Sequence, residues 1–260
     1  LGLIPEKHVY SYSQLSSFDE CPYSFYLQRI ESVQETVSNG FAERGSLIHD
    51  LLDKWAKKIL TKEDMVHEYE RRYSNEVVTA FPRMLAAKGY TEKAYQQGID
   101  FLTNFDEFDG YKVVSAEEKF TIDLPLTNGS TRKFTGIVDM ILRKNWSNEL
   151  IICDHKSKSL SAFKKAENAM YMQQLLYAAY VQEQYGEWPY SCMFHLFNEG
   201  GKKMERLFTL DQFRSAIGWA SDIIHKIETY EVLDWLECKK QDFYCMEICG
   251  VRRECPNGKK

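Results

Sequence analysis

Long apolar runs are missing. No stretch approaches the ~20 residues that a membrane-spanning helix needs. The opening residues, LGLIPEKHVYSYS, are too polar for the apolar segment of a secretory signal. The expectation is a cytoplasmic chain with no membrane partner. A strong charge of one sign is also missing. The 33 Lys and Arg against 38 Asp and Glu give a formal net charge of −5. That excludes a uniformly basic nucleic-acid coat and leaves room for a local basic groove. The six prolines are scattered, and there is no Pro/Gly/Ser linker, internal repeat or low-complexity tract. One domain over residues 1–260 is the simplest organisation. The cysteines cannot all pair, because there are seven. An odd count with no leader argues against a disulfide framework and for a reducing compartment.

What is present describes a folded chain: 260 residues, 44% hydrophobic, 14% aromatic and 27% charged. The pattern predicts two short helices over 13–30, broken at Cys21-Pro22, and an amphipathic helix over 45–60 carrying Leu47, Ile48, Leu51, Leu52 and Trp55. Further helices follow to about 108, broken near Gly89-Tyr90. The period then changes from 3.6 to 2. Strands are predicted over 111–124, 133–144 and 149–156, a helix over 164–186, strands near 190–198 and 203–210, and a helix over 211–236. The order implies an α/β fold with a central sheet flanked by helices. A cysteine-rich tail occupies 237–260.

The chemistry concentrates on two of these strands. Alternation puts Asp139 on the face of Ile137 and Ile141. A carboxylate among isoleucines is costly unless it is paired or binds a cation. The next strand, LIICDHK, puts Asp154 and Lys156 on one face and Cys153 and His155 on the other. Hard carboxylate oxygens suit Mg or Mn. A lysine beside them can orient a water or stabilise charge on a phosphate. Asp-x-Lys alone is equally an ordinary ion pair at a strand end. Glu117 and Glu118 end a polar stretch of the preceding strand, and one of them faces Asp139 if the strands pair in register. His49 lies off the main apolar stripe of its helix.

Three cysteines, Cys245, Cys249 and Cys255, crowd into DFYCMEICGVRREC, a density that suggests metal or cluster ligation. Cys153 and Cys192 fall inside strands and suit small core positions.

These motifs together resemble the PD-(D/E)XK nuclease superfamily, and within it the RecB-like branch that carries an iron–sulfur cluster. That branch includes AddB-type nuclease domains, CRISPR-associated single-strand exonucleases and phage relatives. The likeness spans about residues 11–256. It rests on SYSQLSSFDECPYSFYL, RGSLIHDLL, EEKF, GIVD, ICDHKSK and MQQLLYAAY, in that order. The resemblance implies a restriction-endonuclease-like mixed sheet. It implies His49, Asp139 and Asp154 as ligands to Mg or Mn, with the main-chain carbonyl of His155 completing the shell. Glu117 becomes the active-site acid and Lys156 the residue that orients or activates the attacking water. Gln173 and Tyr177, one helical turn apart, position the lysine or the DNA backbone.

The resemblance also implies that Cys21, Cys245, Cys249 and Cys255 hold a structural [4Fe–4S] cluster joining the N-terminal helical segment to the tail. The gap between Cys245 and Cys249 is three residues where the branch usually has two, so Cys238 stays an alternative. Four thiolates also suit zinc. The implied activity is hydrolysis of phosphodiester bonds by a DNA exonuclease on single strands or ends. Recombination, end-processing or CRISPR spacer acquisition is its setting; an inactive DNA-binding scaffold of the same fold is the alternative. No P-loop is present, so unwinding would come from a partner helicase or a recombination or adaptation factor. From Arg143 to Lys165, six basic residues outnumber Glu149 and Asp154 by four, which suits a phosphate backbone.

Overall fold

The computed structural model describes residues 7–34, 40–231, 245–246 and 249–256. In chain order the elements are β1 (Tyr10–Ser11), α1 (Tyr12–Glu20), α2 (Pro22–Phe25) and a π-helical turn at Tyr26–Ile30. Next come α3 (Gly40–Ala56), α4 (Lys62–Glu76), α5 (Arg83–Ala86) and α6 (Tyr90–Thr103). Then follow β2 (Tyr111–Pro125), β3 (Thr131–Lys144), β4 (Leu150–Lys156), α7 (Leu160–Tyr185), β5 (Ser191–Leu196), β6 (Lys202–Leu207) and α8 (Leu210–Thr229). The chain sorts into two compact units interleaved in sequence. The first holds Leu1–Ser38, Phe120–Gly136 and Asp211–Lys260; the second holds Asn39–Lys119 and Ile137–Leu210. Strands β2 and β3 run through both.

The second unit is built on a mixed sheet. β3 lies antiparallel to β4, with Met140 opposite Cys153. β4 lies parallel to β5, with Asp154 opposite Phe194, and β5 antiparallel to β6. A parallel pair needs a crossover, and α7 supplies it. Both faces are covered. Met140, Leu142, Ile151, Cys153 and Met193 pack with Leu47, Leu51 and Leu52 of α3, Met65 and Tyr69 of α4, and Phe101 and Leu102 of α6. Cys192, Phe194 and Leu196 pack with Phe163, Met170 and Tyr171 of α7. β5 is therefore buried at every position, as a strand covered on both sides should be. Each fully buried Leu or Phe in these layers contributes about 1.5–3 kcal/mol. This is the α/β architecture expected, a mixed sheet flanked by helices.

Helix ends follow local chemistry. Thr61 and Asp64 form a reciprocal capping box that starts α4. Gly89, at φ +72°, starts α6 and makes the predicted break. Gly98 lies so close to the Tyr69 ring that a Cβ there would overlap it. α7 begins four residues earlier than the sequence pattern suggests, because the Ser159 hydroxyl accepts the Ala162 N–H and caps it at Leu160.

In the first unit β1 pairs in parallel with the start of β3, Tyr10 opposite Phe134. Cys21 breaks α1 from α2, and Pro22 takes the first helical position, as predicted. Arg132 grips Glu228 of α8 through Nε at 2.6 Å and Nη2 at 2.8 Å. Helix α8 ends at Thr229, short of the predicted 236, since Tyr230 and Glu231 are not helical; 232–236 and Cys238 lie outside the described residues.

Candidate metal centre

The second unit brings most of the predicted site residues together. Among the described residues, one ring nitrogen of His49, one oxygen of Glu117 and one of Asp139 all lie within 4.8 Å of one another. α3 carries His49, β2 carries Glu117 and β3 carries Asp139.

Asp139 and His49 are both aimed by the backbone of His155. Its N–H donates to Asp139 Oδ2 at 2.8 Å. Its carbonyl accepts from His49 Nε2 at 2.9 Å. A carbonyl only accepts, so Nε2 carries a proton, and Nδ1 lies 3.4 Å from Asp139 Oδ2. A ring nitrogen and two carboxylates thus face one another. That donor set fits a hard divalent cation, and a ring N–H held by a backbone carbonyl is the usual support for a metal-binding histidine. The His155 carbonyl, expected on the metal, is engaged by His49, with one lone pair remaining.

Two adjacent glutamates take different directions. Glu117 is a non-glycine residue in the left-handed region, at φ +49°. That conformation costs roughly 1–2 kcal/mol. It breaks the alternation that would otherwise set Glu117 on the face of exposed Lys119, and Glu117 joins His49 and Asp139. Burial pushes its carboxyl up, and the Asp139 charge adds to the rise. Glu118 accepts instead from Tyr185 Oη at 2.9 Å. Burial works to raise its pKa, but hydroxyl bonds from Ser115, Tyr180 and Tyr185 outweigh it and hold the carboxyl below its ordinary value.

Asp154 stands beside the trio and is not part of it. Lys156 Nζ lies 3.0 Å from its Oδ1 and 2.7 Å from its Oδ2. Burial pushes the Asp154 carboxyl up to about 6, and Lys156 pulls against the rise. Burial also works against the Lys156 ammonium, but the Asp154 and Asp139 carboxylates outweigh it and hold the lysine above its usual value. Gln173 and Tyr177 share a face of α7, Gln173 Nε2 donating to Tyr177 Oη at 3.2 Å. Burial raises the Tyr177 hydroxyl to about 12; the Asp154 and Asp139 charges add to that rise.

The side chain of His155 faces away, as alternation predicts. Its Nδ1 lies 3.0 Å from Nδ1 of His195, and both rings are buried. Burial drives both well down, His195 to about 3, so one neutral ring donates to the other. Two further residues brace the site. Arg44, buried at 2% exposure, donates through Nη1 to Asn198 Oδ1 at 2.5 Å. Asn198 Nδ2 in turn donates to the carbonyl of Ser157, next to Lys156. Arg44 stands five residues before His49 on α3, a signal visible in RGSLIH; Asn198 carries no sequence signal. Of the six basic residues near the site, Arg143 pairs with Glu187 and Lys144 with Glu205 and Glu149. Lys158, Lys164 and Lys165 remain exposed beside the start of α7.

No helix among the described residues is long and apolar enough to cross a membrane. Curated proteins offer no match to the sequence. Among solved structures, one titled "Crystal structure of SSO0001" is similar at 12% identity and a TM-score of 0.42, over 99% of this chain and 90% of that one. The family model described as the PD-(D/E)XK nuclease superfamily matches residues 9–256, from β1 through the last cysteine. With a His/Glu/Asp metal set and an Asp-x-Lys strand end in place, the chain belongs to the PD-(D/E)XK nuclease superfamily, whose members are metal-dependent nucleases.

Proposed function

We propose that the protein is a DNA exonuclease of the RecB-like branch, acting on single strands or DNA ends with Mg or Mn. The meeting of His49, Glu117 and Asp139 next to the Asp154–Lys156 pair carries this reading. A divalent cation held there would supply positive charge to the scissile phosphate. The chain's own groups do the rest. His155 fixes the rotamers of His49 and Asp139 through its backbone. Lys156, kept as an ammonium by Asp154, donates to the attacking water or a phosphate oxygen and serves as an orienting cation rather than a base. Tyr177 and Gln173 bound the lysine on the α7 side. Lys158, Lys164 and Lys165 offer charge to a phosphate backbone. The family match over 9–256 supports reading both units as parts of one nuclease domain.

The branch assignment includes a [4Fe–4S] cluster on Cys21, Cys245, Cys249 and Cys255, with zinc as the alternative. The cysteine surroundings suit a cluster. Burial pushes the Cys249 thiol up, and bonds from the Val251 N–H and the Ser24 hydroxyl oppose that. The neighbouring Cys245 and Cys255 thiols act on it as well. Leu27 and Val251 pack with Cys249 and Cys255, and Tyr23 and Tyr26 lie against them. Such an apolar wall with donors aimed at sulfur is how proteins hold and tune clusters.

The test is cleavage of end-labelled single-stranded and duplex DNA by anaerobically purified protein with Mn, Mg or EDTA, and Lys156→Ala in parallel. Metal-dependent shortening from an end, reduced about 10²–10³-fold in the variant, supports the reading. DNA binding without cleavage replaces it with the scaffold alternative.

A further inference from the structure

Hydroxyls serve the Glu118 carboxyl group. Tyr185 Oη donates to its Oε2 at 2.9 Å, Ser115 Oγ lies 3.3 Å from Tyr185 Oη, and Ser115 and Tyr180 also bond the carboxylate. Tyr180 and Tyr185 stand five residues apart on the last turns of α7. Ser115 precedes Glu118 by three residues on β2. This network grips β2 on both sides of Glu117, the residue at φ +49°. A strand left to regular geometry would turn Glu117 out with Lys119. Something must hold the irregular geometry in place, and these hydroxyls are joined to the adjacent residue.

Resting on the metal-centre reading above, we infer that Glu118 and its hydroxyl donors Tyr180 and Tyr185 are positioning residues. They anchor β2 to α7 so that Glu117 is delivered to the His49–Asp139 pair. None of the three touches the ion or the DNA. Their effect runs through Glu117 alone, so they set metal affinity and leave metal-free DNA binding untouched. The arrangement also fits the chemistry of the two glutamates. A Glu118 pinned by Tyr185 stays on the α7 side. Glu117, next to a second carboxylate, is placed where a cation would relieve the repulsion between them.

The test is Mn²⁺ titration of the full chain by calorimetry without DNA, with DNA affinity in EDTA read separately by anisotropy. The variants are Tyr180→Phe with Tyr185→Phe, which removes two hydroxyls and keeps both rings, and Glu118→Gln. Each should weaken Mn²⁺ about 10- to 100-fold and leave DNA affinity in EDTA unchanged. Should the paired variant fail to fold, Tyr185→Phe alone is read by the same titration, with a smaller rise in Kd expected. Wild-type affinity for Mn²⁺ in folded variants overturns the inference and leaves the metal centre standing. Absence of Mn²⁺ binding by the wild type, or binding unchanged by His49→Ala, overturns the metal-centre reading and the inference with it.

Discussion

Asp139 accepts the backbone N–H of His155 at 2.8 Å, so the aspartate is aimed by the neighbouring strand rather than by another side chain. The same residue's carbonyl holds His49. Two candidate ligands on different elements are thereby referred to one residue of β4, the one just before the lysine. This arrangement survives substitution of the His155 side chain in a way that a side-chain network would not.

Asp139→Asn separates charge from geometry. The remaining carbonyl oxygen can still accept the His155 N–H, but the cation loses a charged ligand. We expect cleavage with Mn to fall on the order of 10³-fold, as several kcal/mol of charge stabilisation disappear. Urea unfolding should stay within about 1 kcal/mol of wild type, since the backbone bond persists. Retained activity with a lowered urea midpoint would reverse the assignment of Asp139 to the cation.

Arg44→Lys tests the brace under α3. The guanidinium lies over the Phe197 ring, 5.5 Å from its centroid, and serves Asn198 and Tyr69. A lysine has no fork with which to reach both. Unserved buried acceptors cost about 1–3 kcal/mol, and this loss should appear in the urea midpoint. Because Asn198 also holds the Ser157 carbonyl, the turnover number should fall while KM for DNA holds. Unchanged stability and turnover would show the brace to be incidental.

The faces around Asp139 and Asp154 were legible because successive side chains of a strand point to opposite sides. The split of Cys153 and His155 from Asp154 and Lys156 followed from that alone. Alternation alone left the choice between Glu117 and Glu118 open, and only the resemblance named Glu117, because the choice depends on one left-handed residue that alternation cannot foresee. Asn198 was invisible for a different reason: its role comes from the parallel pairing of β4 and β5, which sets the end of one strand against the end of the other. The basic stretch looked more available than it is. Arg143 and Lys144 are neutralised by Glu187 and Glu205, partners 44 and 61 residues later in the chain.

Glu228 gives a pH dependence away from the metal centre. The Arg132 guanidinium holds its carboxyl below the usual glutamate range. A depressed folded-state pKa adds stability above the unfolded value of about 4.3, and that stability is lost as pH falls through the folded value. Both side chains are about a third exposed, so screening keeps the contribution to about 0.5–1 kcal/mol. Glu228→Gln should therefore lower the urea midpoint near neutral pH and match wild type at about pH 3. A difference that grows toward acid would contradict the pairing.

Cys249→Ser addresses the tail. Cys249 is buried, with Leu27 and Val251 around it and the Ser24 hydroxyl and Val251 N–H directed at its sulfur. Serine preserves the volume nearly enough for packing but is a poor ligand to iron. On the cluster reading, the anaerobically purified wild type is brown and contains iron and acid-labile sulfide in equal amounts. The variant is colourless and is cut by protease at concentrations the wild type resists, because closure of the long loop from Cys21 to the tail is lost. By analogy with a disulfide across such a loop, the closure contributes on the order of 5 kcal/mol. Zinc in the wild type, with no sulfide, would assign the four cysteines to the alternative ion and keep the stability loss. A colourless wild type containing neither metal, as stable as Cys249→Ser, would remove the staple altogether and leave the cysteines as packing residues.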